Sequence, residues 1–497
     1  MSRLEAVWFD LHRLEWMEKV TLLCLQGLVN RCGPRLMFET RFWNWSGADA
    51  YWRRYYEDNK GIVFATLDTP DDVVRRFADE LDGIVLYDPD LEQTLWVAAT
   101  MGGLNNCVPM SPEQARRFGE LPVRYDLRGR WRDKLGPIRW AMDELLPKCR
   151  RGVAYSVDKL WSGVSVDSLD YAILEQGFVF SLKPDAEGDE GRLAHDLMDA
   201  LGPNCGVYGW AEPEHRYCEL VSLHSNYIMC AEAPNLSFHH GVPTATARFR
   251  QKARLDRSKL RLERDKYYVA FMTSEGDAMK IHTVLHGQAW LNPDRGKVPI
   301  NWGFQPRMLE VAPAMAEYYY GTATPNDYFY CGCSGAGYTY PNWMPEPQPF
   351  FEASNEYMKR ADLRILDTWI HFHRPTYELY LQQDGIDCIT MPCGPGGPVW
   401  MANGKAVLRR YPGLHYYPPG RKPEEIVESI RQATKYVRSK PGFMTFFFVP
   451  DWQNASSQGG YSPTDLVSVR DGLGDEFKVV TLEEMVWAMY AAGREGG

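Results

Sequence analysis

The feature that most constrains this chain is the regular alternation of strand-like and helix-like segments after residue 266. Strand-like runs occur at Tyr267–Thr273, Val298–Phe304, Tyr328–Cys333, Ile365–His371, Ile386–Met391, Ala406–Arg410, Phe443–Val449 and Phe477–Val480. Helical patterns lie between most of them, at Met308–Tyr319, Glu352–Ala361, Tyr377–Gln383 and Pro423–Ser439. About eight strand–helix repeats in roughly 230 residues predict a (β/α) barrel, complete or distorted.

The preceding half alternates in the same way on a smaller scale. A helix is predicted over 14–31, with Val20, Leu23 and Leu28 on its apolar stripe and Gly33-Pro34 as its stop. A strand at Leu36–Phe38, a helix at Trp52–Tyr56, a strand at Gly61–Ala65, a helix at Pro70–Leu81 and a strand at Gly83–Tyr87 follow. This order predicts a parallel sheet covered by helices. Weaker signals continue with strands at Phe178–Leu182 and Cys205–Trp210 around a helix at Glu190–Leu201. The expected fold class is α/β: N-terminal α/β layer domains over 1–150 and 151–255, then a C-terminal (β/α) barrel-like domain over 256–497. The cation-rich stretch Arg248–Asp265 is read as a solvated linker into that domain.

Composition narrows the function. The net charge of −10 argues against a nucleic-acid binder, which needs a basic surface. No apolar run reaches the roughly 18–20 residues that span a bilayer, so no membrane partner is expected. The first residues carry an early acid and no apolar core of a signal peptide, which predicts a cytoplasmic protein or a trimmed secreted one. Eleven cysteines, scattered singly, read as reduced buried thiols, Cys331 and Cys333 among them. Aromatic content is 13%, with 17 Trp and 28 Tyr, and the Trp and Tyr next to Gly and Pro suit a cleft that stacks on flat ligand faces.

A parallel barrel builds its site at the carboxyl ends of its strands. Read there, the chain offers Ser274-Glu275-Gly276-Asp277 after the first strand, Gln305 after the second with Trp302 inside it, and Ser334 with a Gly-rich stretch after the third. His371 and His373 close the fourth, Cys393–Gly397 follows the fifth, and Asp451-Trp452-Gln453-Asn454 follows the seventh. No P-loop, dinucleotide fingerprint or His-Glu-x-x-His motif is present, so no cofactor is expected, a divalent metal being the one alternative. Carboxylates beside aromatics and amides suit glycosidic cleavage, in which one acid protonates the leaving oxygen and a second carboxylate attacks or activates water.

The stretch Gly335-Ala336-Gly337-Tyr338-Thr339-Tyr340-Pro341 demands a specific backbone, with Tyr338 and Tyr340 on one side if extended. It fits the motif of the GxGYxYP family of putative glycoside hydrolases, which this chain resembles. Leu25-Gln26-Gly27-Leu28-Val29-Asn30-Arg31, Asp126-Leu127-Arg128-Gly129 and Asn235-Leu236-Ser237 look like that family's N-terminal regions. The resemblance implies an N-terminal α/β region, a barrel-like C-terminal domain and sugar processing. It also implies an Asp-Gly-Asp-Asn-like turn where this chain has Glu275-Gly276-Asp277-Ala278, which favours Asp277.

The combined expectation is a glycosidase with Asp277 as one catalytic carboxylate and Glu275 or Asp451 as the second. Trp302, Tyr338, Tyr340, Trp343 and Trp452 would bind sugar faces, and Gln305, Ser334, Asn342 and His371 would bond hydroxyls. The rivals are a non-catalytic carbohydrate-binding protein and a metal-dependent hydrolase such as a carbohydrate deacetylase, with Glu275, Asp277 and a His as ligands.

Overall fold

The computed structural model describes residues 4–41, 47–160, 163–165, 167–229, 233–274, 279–369, 371–392, 396–414, 422–450 and 460–494. The chain divides into two compact units. One comprises Met1–Thr244, Glu310–Ala314 and Trp343–Glu346, and the other Ala245–Leu309, Met315–Asn342 and Pro347–Gly497.

The first unit is built from small parallel sheets. Strands β1 (Leu4–Asp10), β2 (Leu36–Glu39) and β3 (Ile62–Thr66) pair in the order β2-β1-β3. Strands β4 (Gly83–Leu86), β5 (Cys107–Met110) and β6 (Val123–Asp126) pair as β5-β4-β6. The third sheet orders β7 (Val153–Ser156), β10 (Phe178–Phe180), β11 (Gly206–Gly209) and β12 (Tyr227–Met229) as β10-β7-β11-β12, and β8 (Asp158–Leu160) and β9 (Gly163–Ser165) form an antiparallel hairpin. The helix predicted over 14–31 spans Trp16–Val29 and is buried on every side from Val20 to Val29. Its Gly27 lies against the helix Leu169–Leu174, where a β-carbon would strike the Asp170 carbonyl oxygen.

Buried amides tie this unit together. The Asn235 side chain accepts from Gln26 Nε2 at 2.7 Å and Phe38 N–H at 2.8 Å, and donates to Phe38 O at 2.8 Å and Asp49 Oδ1 at 3.0 Å. Asn30 Nδ2 donates to Ser237 Oγ at 2.9 Å. The segments 25–31 and 235–237, more than 200 residues apart, therefore meet through side chains that satisfy main-chain groups a buried strand edge would leave open.

The second unit holds β13 (Tyr267–Thr273), β14 (Ile300–Phe304), β15 (Asp327–Cys331), β16 (Ile365–Asp367), β17 (Cys388–Met391), β18 (Gly397–Trp400), β19 (Ala406–Arg409), β20 (Gly442–Phe448) and β21 (Phe477–Val479). Their order is β18-β19-β17-β16-β15-β14-β13-β20, with β21 also paired to β13. Every pairing is parallel except β18 with β19. Just past β19, Leu414 O accepts a 3.0 Å bond from Phe447 N–H of β20. The sheet is thus nearly closed, as the predicted barrel-like domain requires.

Side chains alternate along a strand, so every second residue shares a face. One face gathers Tyr268, Ala270, Met272, Tyr328, Tyr330, Ile365, Cys388, Ala406, Leu408, Phe443 and Phe447 into one core cluster. The helix Leu482–Arg494 adds Leu482, Met485, Val486 and Met489 to it, each worth about 1.5–3 kcal/mol of burial. Its Tyr490 hydroxyl donates to Asp387 O and accepts from Ala406 N–H at 3.1 Å. Both partners stand at the amino ends of strands, so the helix covers that mouth.

Two expectations shift here. The fourth barrel strand stops at Asp367 rather than His371, because a helix with proline in its first turn begins at Arg374 and the chain must turn before it. The segment read as a solvated linker is partly packed: Arg250 and Arg254 pair with the buried Asp362, and the buried Gln251 bonds Asp362 and Phe329 main-chain groups.

Candidate functional site

The inward face changes character toward the carboxyl ends of the strands. Ile365, Cys388 and Leu408 belong to the apolar cluster. Two residues further on the same face stand Asp367, Thr390 and Arg410. Asp367 Oδ1 accepts from Thr390 Oγ1 at 2.5 Å and is ion-paired with Arg410 Nη2, and both charged side chains are sealed from solvent. The Arg410 guanidinium lies 4.0 Å from the centre of the Phe447 ring. Burial pushes the Asp367 carboxyl up from its ordinary value, and Arg410 and the two hydrogen bonds oppose that shift. On β13 the same face continues from Met272 to Ser274, whose buried Oγ has no hydrogen-bond partner among the described residues. Tyr330 reaches up from β15 to donate to Thr273 O at 2.5 Å.

The Gly-rich motif follows β15 and is held from several sides. Ser334 has φ 68° and Gly335 φ 125°, which turns the chain sharply off the strand. Ser334 N–H donates to the Asp367 carbonyl at 2.9 Å, Ser334 Oγ donates to Thr339 O at 2.6 Å, and Ser334 O accepts from the Tyr380 hydroxyl at 2.5 Å. Ala336 N–H donates to Ser354 Oγ at 3.0 Å, and Arg307 Nε donates to Ala336 O at 3.0 Å. A β-carbon on Gly335 would collide with Tyr380 and Ser354. Tyr338 and Tyr340 meet edge to face with ring centres 6.0 Å apart. Rather than projecting as a parallel pair, they brace each other: Tyr338 is 5% exposed and Tyr340 half-buried.

The remaining sequence-predicted residues are placed as follows. Gln305 is buried at the end of β14, its N–H donating to His282 Nε2 at 3.4 Å and its Oε1 accepting from Arg307 N–H at 3.2 Å. Asn342 Nδ2 donates to the carbonyl of the exposed His371 at 3.0 Å. Trp343 falls in a short segment of the first unit and is 44% exposed. Trp302 is enclosed by His286, Trp290 and the β15 edge, its indole N–H donating to Asp327 Oδ1 at 2.9 Å. It is fully buried on the face opposite Asn301 and Gly303, so it is packing and drops out of the sugar-contacting set. Glu275, Asp277, Asp451 and Trp452 lie outside the described residues. Among the described residues no group of three or more His, Cys, Asp or Glu is arranged to hold a metal ion.

Sequence reasoning missed Asp367, Thr390 and Arg410. An acid closing the apolar run Ile365-Leu366 was the available signal, obscured by reading the strand four residues too long. Arg410 had no local mark, because its partner lies 43 positions away.

The architecture recurs in a solved structure. A crystal structure of a protein from Bacteroides thetaiotaomicron, described as "a putative hydrolase", superposes with a TM-score of 0.81 at 21% identity, over 98% of this chain and 95% of that one. A structure from Mycobacterium smegmatis, described as a "putative polysaccharide deacetylase", gives a TM-score of 0.31 at 11% identity over 46% of this chain and 92% of that one. No curated protein matches the sequence. Family models match residues 6–79 (GxGYxYP_N 1st domain), 81–149 (GxGYxYP_N second domain), 165–241 (GxGYxYP third domain) and 265–489 ("GxGYxYP putative glycoside hydrolase C-terminal domain"). With its own Gly335–Pro341 motif locked onto the end of a barrel strand, the chain belongs to the GxGYxYP family.

Proposed function

We propose that the chain hydrolyses glycosidic bonds at the carboxyl ends of the barrel strands. The observation that carries this reading is the change along the inward face, apolar at one end and charged or hydroxylated at the other. That end is where parallel-barrel enzymes assemble their chemistry. Asp277, three residues after Ser274, supplies one carboxylate, and Glu275 or Asp451 supplies the second. Their separation sets the outcome: about 5–5.5 Å gives retention and about 6.5–9.5 Å gives inversion. Tyr340, Asn342 and Trp452 contact the sugar, while Ser334, Tyr338 and Gln305 hold the loops that carry those contacts. Two carboxylates suffice for the reaction, so it needs no cofactor.

The test is a panel of oligosaccharides assayed with the purified protein and with Asp277→Asn and Asp451→Asn. The reading expects turnover of at least one member and a loss of about a hundredfold or more in Asp277→Asn. Turnover that survives intact in both variants rejects the assignment of these carboxylates.

A further inference from the structure

The network around Asp367 joins more strand ends than any other polar group described above. Its carboxylate holds Thr390 of β17 and Arg410 just past β19. Its main-chain carbonyl holds Ser334, the residue that opens the Gly-rich turn after β15. Thr368, the next residue, bonds the Tyr377 hydroxyl at 2.8 Å and donates its N–H to Thr390 O at 3.0 Å. Through Arg410 the network reaches Phe447 of β20, across the seam where β19 and β20 share no ladder and Leu414 provides the bridging bond. One residue thus fixes the relative positions of five strand ends.

Stability alone does not call for charges here. A buried ion pair recovers its desolvation cost only in part, and well-packed apolar replacements are often as stable. The next layer down is filled by Ile365, Cys388 and Leu408, so the barrel has an apolar solution available. The carboxyl raised by burial beside a fixed guanidinium is also the kind of group that gathers at functional sites.

We infer that Asp367 is a positioning residue for the reaction proposed above, clamping the barrel seam through Arg410 and setting the Gly-rich loop through Ser334. The inference rests on the glycosidase reading and adds to it a group that the catalytic carboxylates do not include. Asp367 touches no substrate in this account; it fixes the distance between rim elements that do. Binding in the ground state tolerates a small misplacement better than the transition state does.

The experiment compares the wild-type protein, Asp367→Asn, Arg410→Met and the double variant Asp367→Asn/Arg410→Met. Turnover and KM are measured on the best oligosaccharide of the panel, saccharide binding by calorimetry, and thermal midpoint for each protein. Either single change removes the attraction between the two buried charges and lowers the midpoint. The double change removes both charges and brings the midpoint back toward wild type. The inference expects kcat to remain at least thirtyfold down in the double variant with KM and calorimetric affinity within threefold of wild type. If the double variant recovers kcat along with its midpoint, the pair is structural and the inference is overturned. If the double variant recovers neither and loses affinity in proportion to folded protein, the inference is equally overturned. A wild-type protein that binds the saccharide without cleaving it rejects the glycosidase reading, and with it the positioning role. The wild type cleaving while the double variant matches it rejects the positioning role alone.

Discussion

Both units bury carboxylates, yet in different company. In the first unit Asp49 is enclosed and accepts from Thr40 N–H at 2.8 Å, Thr40 Oγ1 at 2.7 Å and Asn235 Nδ2 at 3.0 Å. Asp170 of the same unit accepts from Ser237 N–H at 2.7 Å, and burial drives its carboxyl up to about 6. Their hydrogen-bond donors are neutral, and they serve the joining of sequence-distant segments. In the second unit Asp367 faces a guanidinium at the end of a barrel strand. A buried acid is therefore no sign of a site by itself. Position at the carboxyl ends of parallel strands, together with a buried cation, is what separates the second case from the first.

The comparison breaks most readily at Asn235. Its amide uses both donors and accepts twice, and φ of 59° places it in the left-handed region that asparagine tolerates. Asn235→Ala should cost about 3–5 kcal/mol, since it strands Phe38 and Asp49 groups in the interior. Chemical denaturation measures this, and turnover per folded molecule should stay at the wild-type value.

Gly335→Ala probes the second unit. The new β-carbon meets Tyr380 and Ser354 at a φ that side chains resist, so a loss of about 2–3 kcal/mol is expected. Here turnover should fall further than stability, because the displaced loop carries Tyr338 and Tyr340. A midpoint shift with full turnover in the remaining folded protein would place the motif among the purely structural elements.

Much of the barrel was legible because its strands are short runs rich in apolar and aromatic residues, set off by turns. All eight runs read after residue 266 correspond to strands, with ends shifted by a few residues. Those shifts mattered only at the rim, where four residues separate His371 from Asp367. The helix Leu482–Arg494 and strand β1 went unread. Strand β1 holds only four consecutive apolar residues, Ala6–Phe9, between Glu5 and Asp10. The amide ties of the first unit were visible as sequence segments but not as partners, since nothing local in Gln26 points to Asn235. Arg410 was hidden for the same reason.

Acid should separate the units more gently. His239 of the first unit is enclosed, bonds the Tyr56 hydroxyl at 2.8 Å, and is pushed down by burial to about 3. The unfolded chain protonates this group near pH 6.5, so it binds more protons than the folded one between about 6.5 and 3. Stability from His239 is thus present above 6.5 and drains away as pH falls. Asp170 acts oppositely: its folded carboxyl stays protonated up to about 6, so its penalty shrinks as pH falls from 6 toward 4. In a pH series of denaturant melts the stability that His239 adds should therefore fade between pH 6.5 and 4, and the decline should be less steep in His239→Gln than in wild type. A decline as steep in His239→Gln as in wild type would mean that other groups govern it.

The smallest effect belongs to Tyr340→Ala, which leaves the buried Tyr338 ring in place. Saccharide affinity should drop by about 1–1.5 kcal/mol, and the thermal midpoint should fall only by the loss of the edge contact with Tyr338. An unchanged affinity would take Tyr340 out of the contact set.

The central claim is that function sits at the strand ends of the second unit and that the polar network of the first unit is architectural. The most direct test pairs Asp277→Asn with Asn235→Ala and measures, for each, turnover per folded molecule and thermal midpoint. The account predicts that Asp277→Asn lowers turnover about a hundredfold or more with its midpoint intact, while Asn235→Ala lowers the midpoint and keeps turnover. The reverse pattern, or full turnover in Asp277→Asn, would contradict it.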